Sequence, residues 1–172
     1  MSRFFRLLRY DWPLHYVLFF TNWLPDNVAL MRLRGWLAHF FFGSCGKDLR
    51  LGRGIVFYNP SQIKIGKHVY IAYGNWFSAS ALITISDEVI IGPKNVFASG
   101  NHTKENNSFR YGITDNKDIM IGIGSWVGAN CTITAGVIIG NGSLIGANTV
   151  VTKEVPDSVM FAGNPGRVIK EI

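Results

Sequence analysis

From Leu51 onward, apolar side chains return at every sixth position. The clearest series is Ile121, Val127, Ile133, Ile139, Ile145 and Val151. Four residues after each member stands a small or β-branched side chain or a cysteine: Ser125, Cys131, Val137, Ser143, Thr149 and Val155. The same rhythm runs earlier in three blocks, Leu51, Phe57 and Ile63, then Ile65, Ile71, Phe77 and Ile83, then Ile85, Ile91 and Phe97. Its phase slips by two at Ile63/Ile65 and again at Ile83/Ile85. A six-residue period drifts around a 3.6-residue helical turn and leaves no fixed stripe, so it excludes an α-helix. A short strand followed by a tight turn fits it. Units this small cannot bury an apolar face alone and must stack. Three of them make one triangular coil, with the aliphatic residue pointing into a shared core and the small one near a corner. Gly140-Asn141-Gly142 and Ala147-Asn148 supply residues that tolerate corner geometry. The pattern therefore predicts an all-β parallel solenoid over residues 49–172, of about five coils. Each fully buried aliphatic side chain in it contributes roughly 1.5–3 kcal/mol.

Residues 1–48 follow a different pattern. They hold Phe4, Phe5, Phe19, Phe20, Phe40, Phe41 and Phe42 together with Trp12, Trp23 and Trp36. Leu30, Leu33, Leu37 and Phe41 recur at helical spacing after Pro25-Asp26-Asn27, which has the composition of a helix start, with Arg32 and Arg34 on the other side. Two short helices joined near Pro25 are expected, covering an open end or flank of the main body. A second role for this segment is docking to a membrane surface, possible because the chain opens Ser2-Arg3-Phe4-Phe5-Arg6-Leu7-Leu8-Arg9. There Arg3, Arg6 and Arg9 would meet anionic lipid while Phe4, Leu7 and Leu8 insert. The apolar run from Leu14 to Leu24 is shorter than the roughly 20 residues that span a bilayer. It also lacks an Ala-x-Ala cleavage pattern, so no cleaved signal peptide is expected.

Composition narrows the function classes. At 172 residues the chain is long enough for one substantial core, and its 19 glycines with only 6 prolines suit a tightly turning architecture. The formal charge of +6 is spread along the chain instead of gathered into a basic tract, which argues against a nucleic-acid partner. Cys45 and Cys131 lie far apart and lack metal-site or disulfide-scaffold spacing, which fits a reducing cytoplasm. No three-histidine cluster is present, so no metal is expected.

Between Asn101 and Asp118 the period is interrupted, which predicts a loop projecting from the solenoid with His102 at its root. Loops on rigid scaffolds carry function. An imidazole there could take a proton from a hydroxyl near neutral pH, or it could be an ordinary exposed histidine. Trp126 ends its hexapeptide and should face outward, where a large aromatic asks for a ligand or a neighbouring subunit. His68 is expected to be solvated, and His15 and His39 to pack within the aromatic segment.

The hexapeptide series, Ser99-Gly100-Asn101-His102, Trp126-Val127-Gly128-Ala129 and the ending from Val151-Thr152-Lys153 to Gly163-Asn164-Pro165-Gly166-Arg167 resemble the hexapeptide-repeat acyltransferases. Within that family they are most similar to galactoside and maltose acetyltransferases and to acetyltransferases of exopolysaccharide synthesis, colanic acid among them. The resemblance covers roughly residues 49–172. It implies a left-handed parallel β-helix, a homotrimer with active sites between subunits, and acetyl transfer from acetyl-CoA to a sugar hydroxyl. By that resemblance His102 is the catalytic base and Trp126 lines the acetyl-CoA groove. Ala129, Ala147 and Thr152 meet the pantetheine arm, and Lys153 and Arg167 lie near the nucleotide end.

Where galactoside and maltose acetyltransferases carry an acceptor-binding asparagine, this sequence has Ala72. Asn75, Trp76 and Asn101 are expected to supply a replacement acceptor surface. The expected role is acetylation during surface polysaccharide or oligosaccharide assembly, in the cytoplasm or at the inner face of the membrane. The alternatives are acetylation of a free sugar, an antibiotic or serine, and a structural trimer without turnover.

Overall fold

In the computed structural model, residues 3–172 are described. Met1, Ser2 and the side chain of Arg3, one of the three arginines expected at a lipid surface, lie outside the described residues. The body is a parallel β-solenoid, as the six-residue period predicts. Its three faces carry five, seven and five strands. The first coil runs through Ser44–Cys45, Arg50–Leu51 and Val56–Tyr58. The second follows as Ile63–Ile65, Tyr70–Ile71 and Trp76–Ser78, and the third as Ile83–Ile85, Ile90–Ile91 and Val96–Ala98. Two more complete coils and the strand Val159–Gly163 finish the stack, and Gly166–Glu171 turns back antiparallel on that last strand to close the end. The first strand, Ser44–Cys45, already lies inside the segment expected to be a separate N-terminal unit.

The phase slips have a direct cause. Ile63-Lys64-Ile65 and Ile83-Thr84-Ile85 are three-residue strands whose two isoleucines both point inward, and Ile63 pairs with Ile83, twenty residues on. Later coils lack the two extra corner residues, and Ile121 pairs with Ile139, eighteen residues on. Phe57, Phe77 and Phe97 stack along the axis at 5.0 and 4.6 Å between ring centroids. One corner carries a buried polar ladder. Asn75 Nδ2 donates to the Ala72 and Gly92 carbonyls, and Asn75 Oδ1 accepts from Asn95 N at 2.9 Å. Asn95 Oδ1 accepts from Cys131 N at 2.7 Å, and Thr149 Oγ1 donates to the Gly146 carbonyl at 2.6 Å. Buried polar groups are tolerated only when partnered in this way.

Two helical segments cover the open end of the first coil. The first runs from Arg3 to Thr21, with a π-helical stretch at Leu7–Asp11. The second, Val28–Ala38, starts where Asn27 caps it by accepting the backbone N–H of Leu30. Leu14, Leu18 and Ala38 join the same buried cluster as Leu49, Leu51 and Ile55, so cap and solenoid share one core.

Arg34 was expected on the outer side of its helix, and it is fully buried. Its guanidinium donates to the carbonyls of Thr21, Leu24 and Leu51 and pairs with Asp26 at 3.0 Å, tying both helices to the first coil. Space for this exists because Gly35 sits against the coil, where a Cβ would collide with the Leu49 carbonyl oxygen. The inner stripe of the second helix is Met31, Arg34, Gly35 and Ala38, while Leu33 faces outward. Leu7 and Arg6, expected at a lipid surface, are half-buried. Beside the cap, Asp48 gathers Arg32, Arg50 and His68 at 2.8, 3.1 and 3.2 Å. His68 is thus exposed but paired.

Candidate functional site

His102 owes its position to a clamped hairpin. At the root, the buried Ser99 hydroxyl accepts from Ala81 N, the Ser99 carbonyl accepts from Lys117 N, and Asp118 Oδ1 accepts from Leu82 N. From there Gly100–His102 pairs antiparallel with Thr114–Asn116, placing His102 opposite Thr114 and Asn101 opposite Asp115. Thr103 Oγ1 donates to the Ile113 carbonyl at 2.6 Å, and a tight turn at Asn106 and Asn107 closes between Glu105 and Ser108. The loop is therefore a two-tier hairpin standing off the corner between the third and first faces. His102 and Asn101 are exposed on it.

Further along that corner, two coils on, stand Thr152 and Lys153, both exposed. The remaining expected cofactor contacts lie elsewhere. Trp126 is half-exposed on the second face, between Ile90 and Leu144 of the adjoining coils. Ala129 and Ala147 follow on the corner between the second and third faces, stacked through the bond from Asn148 N to the Ala129 carbonyl. Arg167 stands exposed next to that corner, across from Ala162 in the closing hairpin. The residues thus fall on two edges of the prism separated by the width of the third face, roughly 15–20 Å at ~3.3 Å per residue. One chain does not bring them together.

The acceptor expectations change more. Asn75 is buried, and both ends of its amide are spent in the corner ladder, so it is a structural residue and offers nothing to a ligand. Trp76 faces outward on the third face of the second coil. Ala72, which stands in place of the family's acceptor-binding asparagine, is itself buried at the neighbouring corner.

Sequence reasoning also passed over the loop's own apolar side chains. Phe109, Tyr111 and Ile113 are 60, 78 and 79% exposed, an unusual concentration on one hairpin. The signal available was three large apolar residues inside a stretch already read as an exposed loop. Among the described residues no group of His, Cys, Asp and Glu side chains is arranged to hold a metal.

Residues 118–153 match the family model described as bacterial transferase hexapeptide (six repeats). Galactoside O-acetyltransferase of Escherichia coli (strain K12) is 33% identical over 131 residues, covering 76% of this chain and 64% of that protein, just under two thirds of its length. A galactoside acetyltransferase solved in complex with coenzyme A superposes with a TM-score of 0.82 at 30% identity, over 92% of this chain and 78% of the other. A hexapeptide-repeat-containing acetyltransferase of Vibrio cholerae O1 biovar eltor, solved with acetyl coenzyme A, superposes with a TM-score of 0.84 at 28% identity, over 99% and 90%.

Proposed function

Because this chain belongs to the hexapeptide-repeat acetyltransferases, we propose that it moves acetyl from acetyl-CoA to a sugar hydroxyl during assembly of a surface polysaccharide or oligosaccharide. Acetyl-CoA-dependent transfer is the family's chemistry, seen in the neighbours that hold acetyl coenzyme A or coenzyme A. The sugar acceptor and its biosynthetic setting are the new part of the reading.

The observation that carries it is the division of the candidate residues between two edges of one prism. Packing copies side by side about a threefold axis sets the His102 corner of one copy against the Trp126 edge of the next. The groove so formed gathers an imidazole, small residues at Ala129 and Ala147 over which a pantetheine arm can pass closely, and the cations Lys153 and Arg167 for phosphates. Thr152 adds a hydroxyl to the same groove. Trp76 and Asn101 remain as the acceptor surface, with Phe109 and Tyr111 on the same hairpin that presents Asn101.

In this groove the acceptor oxygen attacks the thioester carbonyl carbon while His102 takes the hydroxyl proton. The tetrahedral intermediate collapses, the carbon–sulfur bond breaks, and the imidazolium returns its proton to the departing thiolate. No covalent enzyme intermediate is needed. The deciding experiment follows release of free CoA thiol with free sugars, nucleotide sugars, lipid-linked oligosaccharides, an antibiotic and serine as acceptors. The reading requires turnover on a sugar-bearing acceptor and its loss in His102→Ala. Preference for serine or the antibiotic would move the substrate class, and equal rates in the variant would remove the base.

A further inference from the structure

The cap has a second face. On the first helical segment Leu14, Leu18 and Thr21 are turned toward the solenoid. The opposite side carries Leu8, Trp12, Tyr16 and Phe19 at intervals of four, four and three residues, continued by Trp23 in the turn just past the helix end, with exposures of 44, 50, 58, 54 and 82%. On the second helix Leu33 and Trp36 likewise oppose the buried Met31, Gly35 and Ala38, with Trp36 at 60%, and Phe40 follows in the 3-10 turn His39–Phe41. The two helices pack on one another and share one buried core with the first coil, so their unburied sides are turned away from that core at the open end of the prism. This exceeds the scattered apolar exposure normal on a soluble surface.

Charge distinguishes the possible occupants. Between Phe4 and Phe42 there are four arginines and two aspartates. Asp26 is held by Arg34 and Arg53, and one oxygen of Asp11 is buried. Arg9 is exposed at the rim, its guanidinium near the Phe41 ring and bonded to the Phe40 carbonyl. The exposed side of the cap is therefore aromatic and carries the exposed cation Arg9, while its two aspartates are paired, as Asp26 is, or half-buried, as Asp11 is. Among the described residues no helix is long and apolar enough to cross a membrane. Tryptophan and tyrosine are the side chains suited to the headgroup boundary. A neighbouring copy packed flank to flank would leave this end uncovered.

We propose that the outer layer of the cap docks on an anionic lipid bilayer, lying in the plane of the headgroup–acyl boundary with Trp12, Tyr16, Phe19, Trp23, Trp36 and Phe40 inserted. None of these residues belongs to the acetyl-transfer site, so docking and catalysis are read separately. The test floats the full chain with vesicles of phosphatidylcholine alone or mixed with phosphatidylglycerol. Flotation is expected with the mixed vesicles, weakening as salt is raised. The triple variant Trp12→Ser, Phe19→Ser, Trp23→Ser should lose about tenfold in bound fraction. Its thermal melt and its thiol release with a soluble acceptor should match the parent. Arg9→Glu should lower binding to the anionic vesicles only. Absence of flotation by the parent, or undiminished flotation of the triple variant, overturns the proposal. A fall in sedimentation coefficient in the triple variant also overturns it, by giving the face to a second copy of the chain.

Discussion

Asn95 Oδ1 accepts the backbone N–H of Cys131 at 2.7 Å, although thirty-six residues of chain separate them. The whole projecting hairpin is inserted between two residues that remain direct neighbours in the stack, so the loop is added to the solenoid without breaking its ladder. Asn95→Ala strands the Cys131 N–H in a dry corner and should lower unfolding free energy by about 1–3 kcal/mol. Urea denaturation measures this, and an unchanged midpoint would show that the ladder contributes nothing.

The His102 side chain is exposed and makes no hydrogen bond among the described residues, so His102→Ala should leave the thermal midpoint in place. The rate of CoA release should fall about 10²–10⁴-fold, the range of a positioned general base. Parallel melting and thiol-release measurements separate the two effects.

Arg34→Met removes the donor shared by the Thr21, Leu24 and Leu51 carbonyls and leaves Asp26 without its buried cation. Leaving those carbonyls without a partner in a buried site is expected to lower stability by about 1–3 kcal/mol for each one left unpaired, measured in guanidinium titrations. Arg34→Lys should recover little of it, because a single ammonium cannot serve groups spread around a planar fork.

How much of this was legible beforehand can be traced through single positions. The period placed Ile121, Val127 and Ile133 in the core because stacking imposes a strict repeat on residues that face inward. The same repeat could have placed Asn75, which follows Ile71 by four residues, the offset that puts Cys131 and Thr149 at inner corners. Its amide has the chemistry of a sugar contact, but the register turns it into the corner ladder. Arg34 was misplaced for a related reason: an arginine is normally solvated, and only the carbonyls gathered at the open coil end make its burial favourable. The separation of the candidate residues onto two edges was beyond sequence reasoning, since it depends on which corner each hexapeptide reaches.

The Asp48 carboxyl is held down to about 2, chiefly by its hydrogen bond with His68 and then by those with Arg50 and Arg32. A carboxylate depressed from its ordinary 3.8 contributes stability that is fully present above that value and is lost as pH falls through about 2. Melting temperature of the parent should therefore drop between about pH 4 and pH 2. Asp48→Asn should be less stable than the parent near neutrality and show a flatter acid limb over that window.

Burial pushes the Cys45 thiol up to about 12 and raises that of Cys131 as well. Both should react far more slowly than free cysteine with an aromatic disulfide reagent at pH 8, and at the ordinary rate once the chain is unfolded. The protein's own thiols would then not disturb the CoA-release signal.

Parallel strands in neighbouring coils stand ~4.8 Å apart, and a helical layer adds ~10 Å. His102 leaves the third coil counted from the cap, which sets the imidazole roughly 20 Å from the outermost rings of the helical layer. The repeat count between them is a yardstick. Deleting the second coil, Ile63 to Leu82, would lower the working height of the base by about 5 Å. Acceptors presented at a fixed distance from a flat support would then be chosen by height as well as by chemistry.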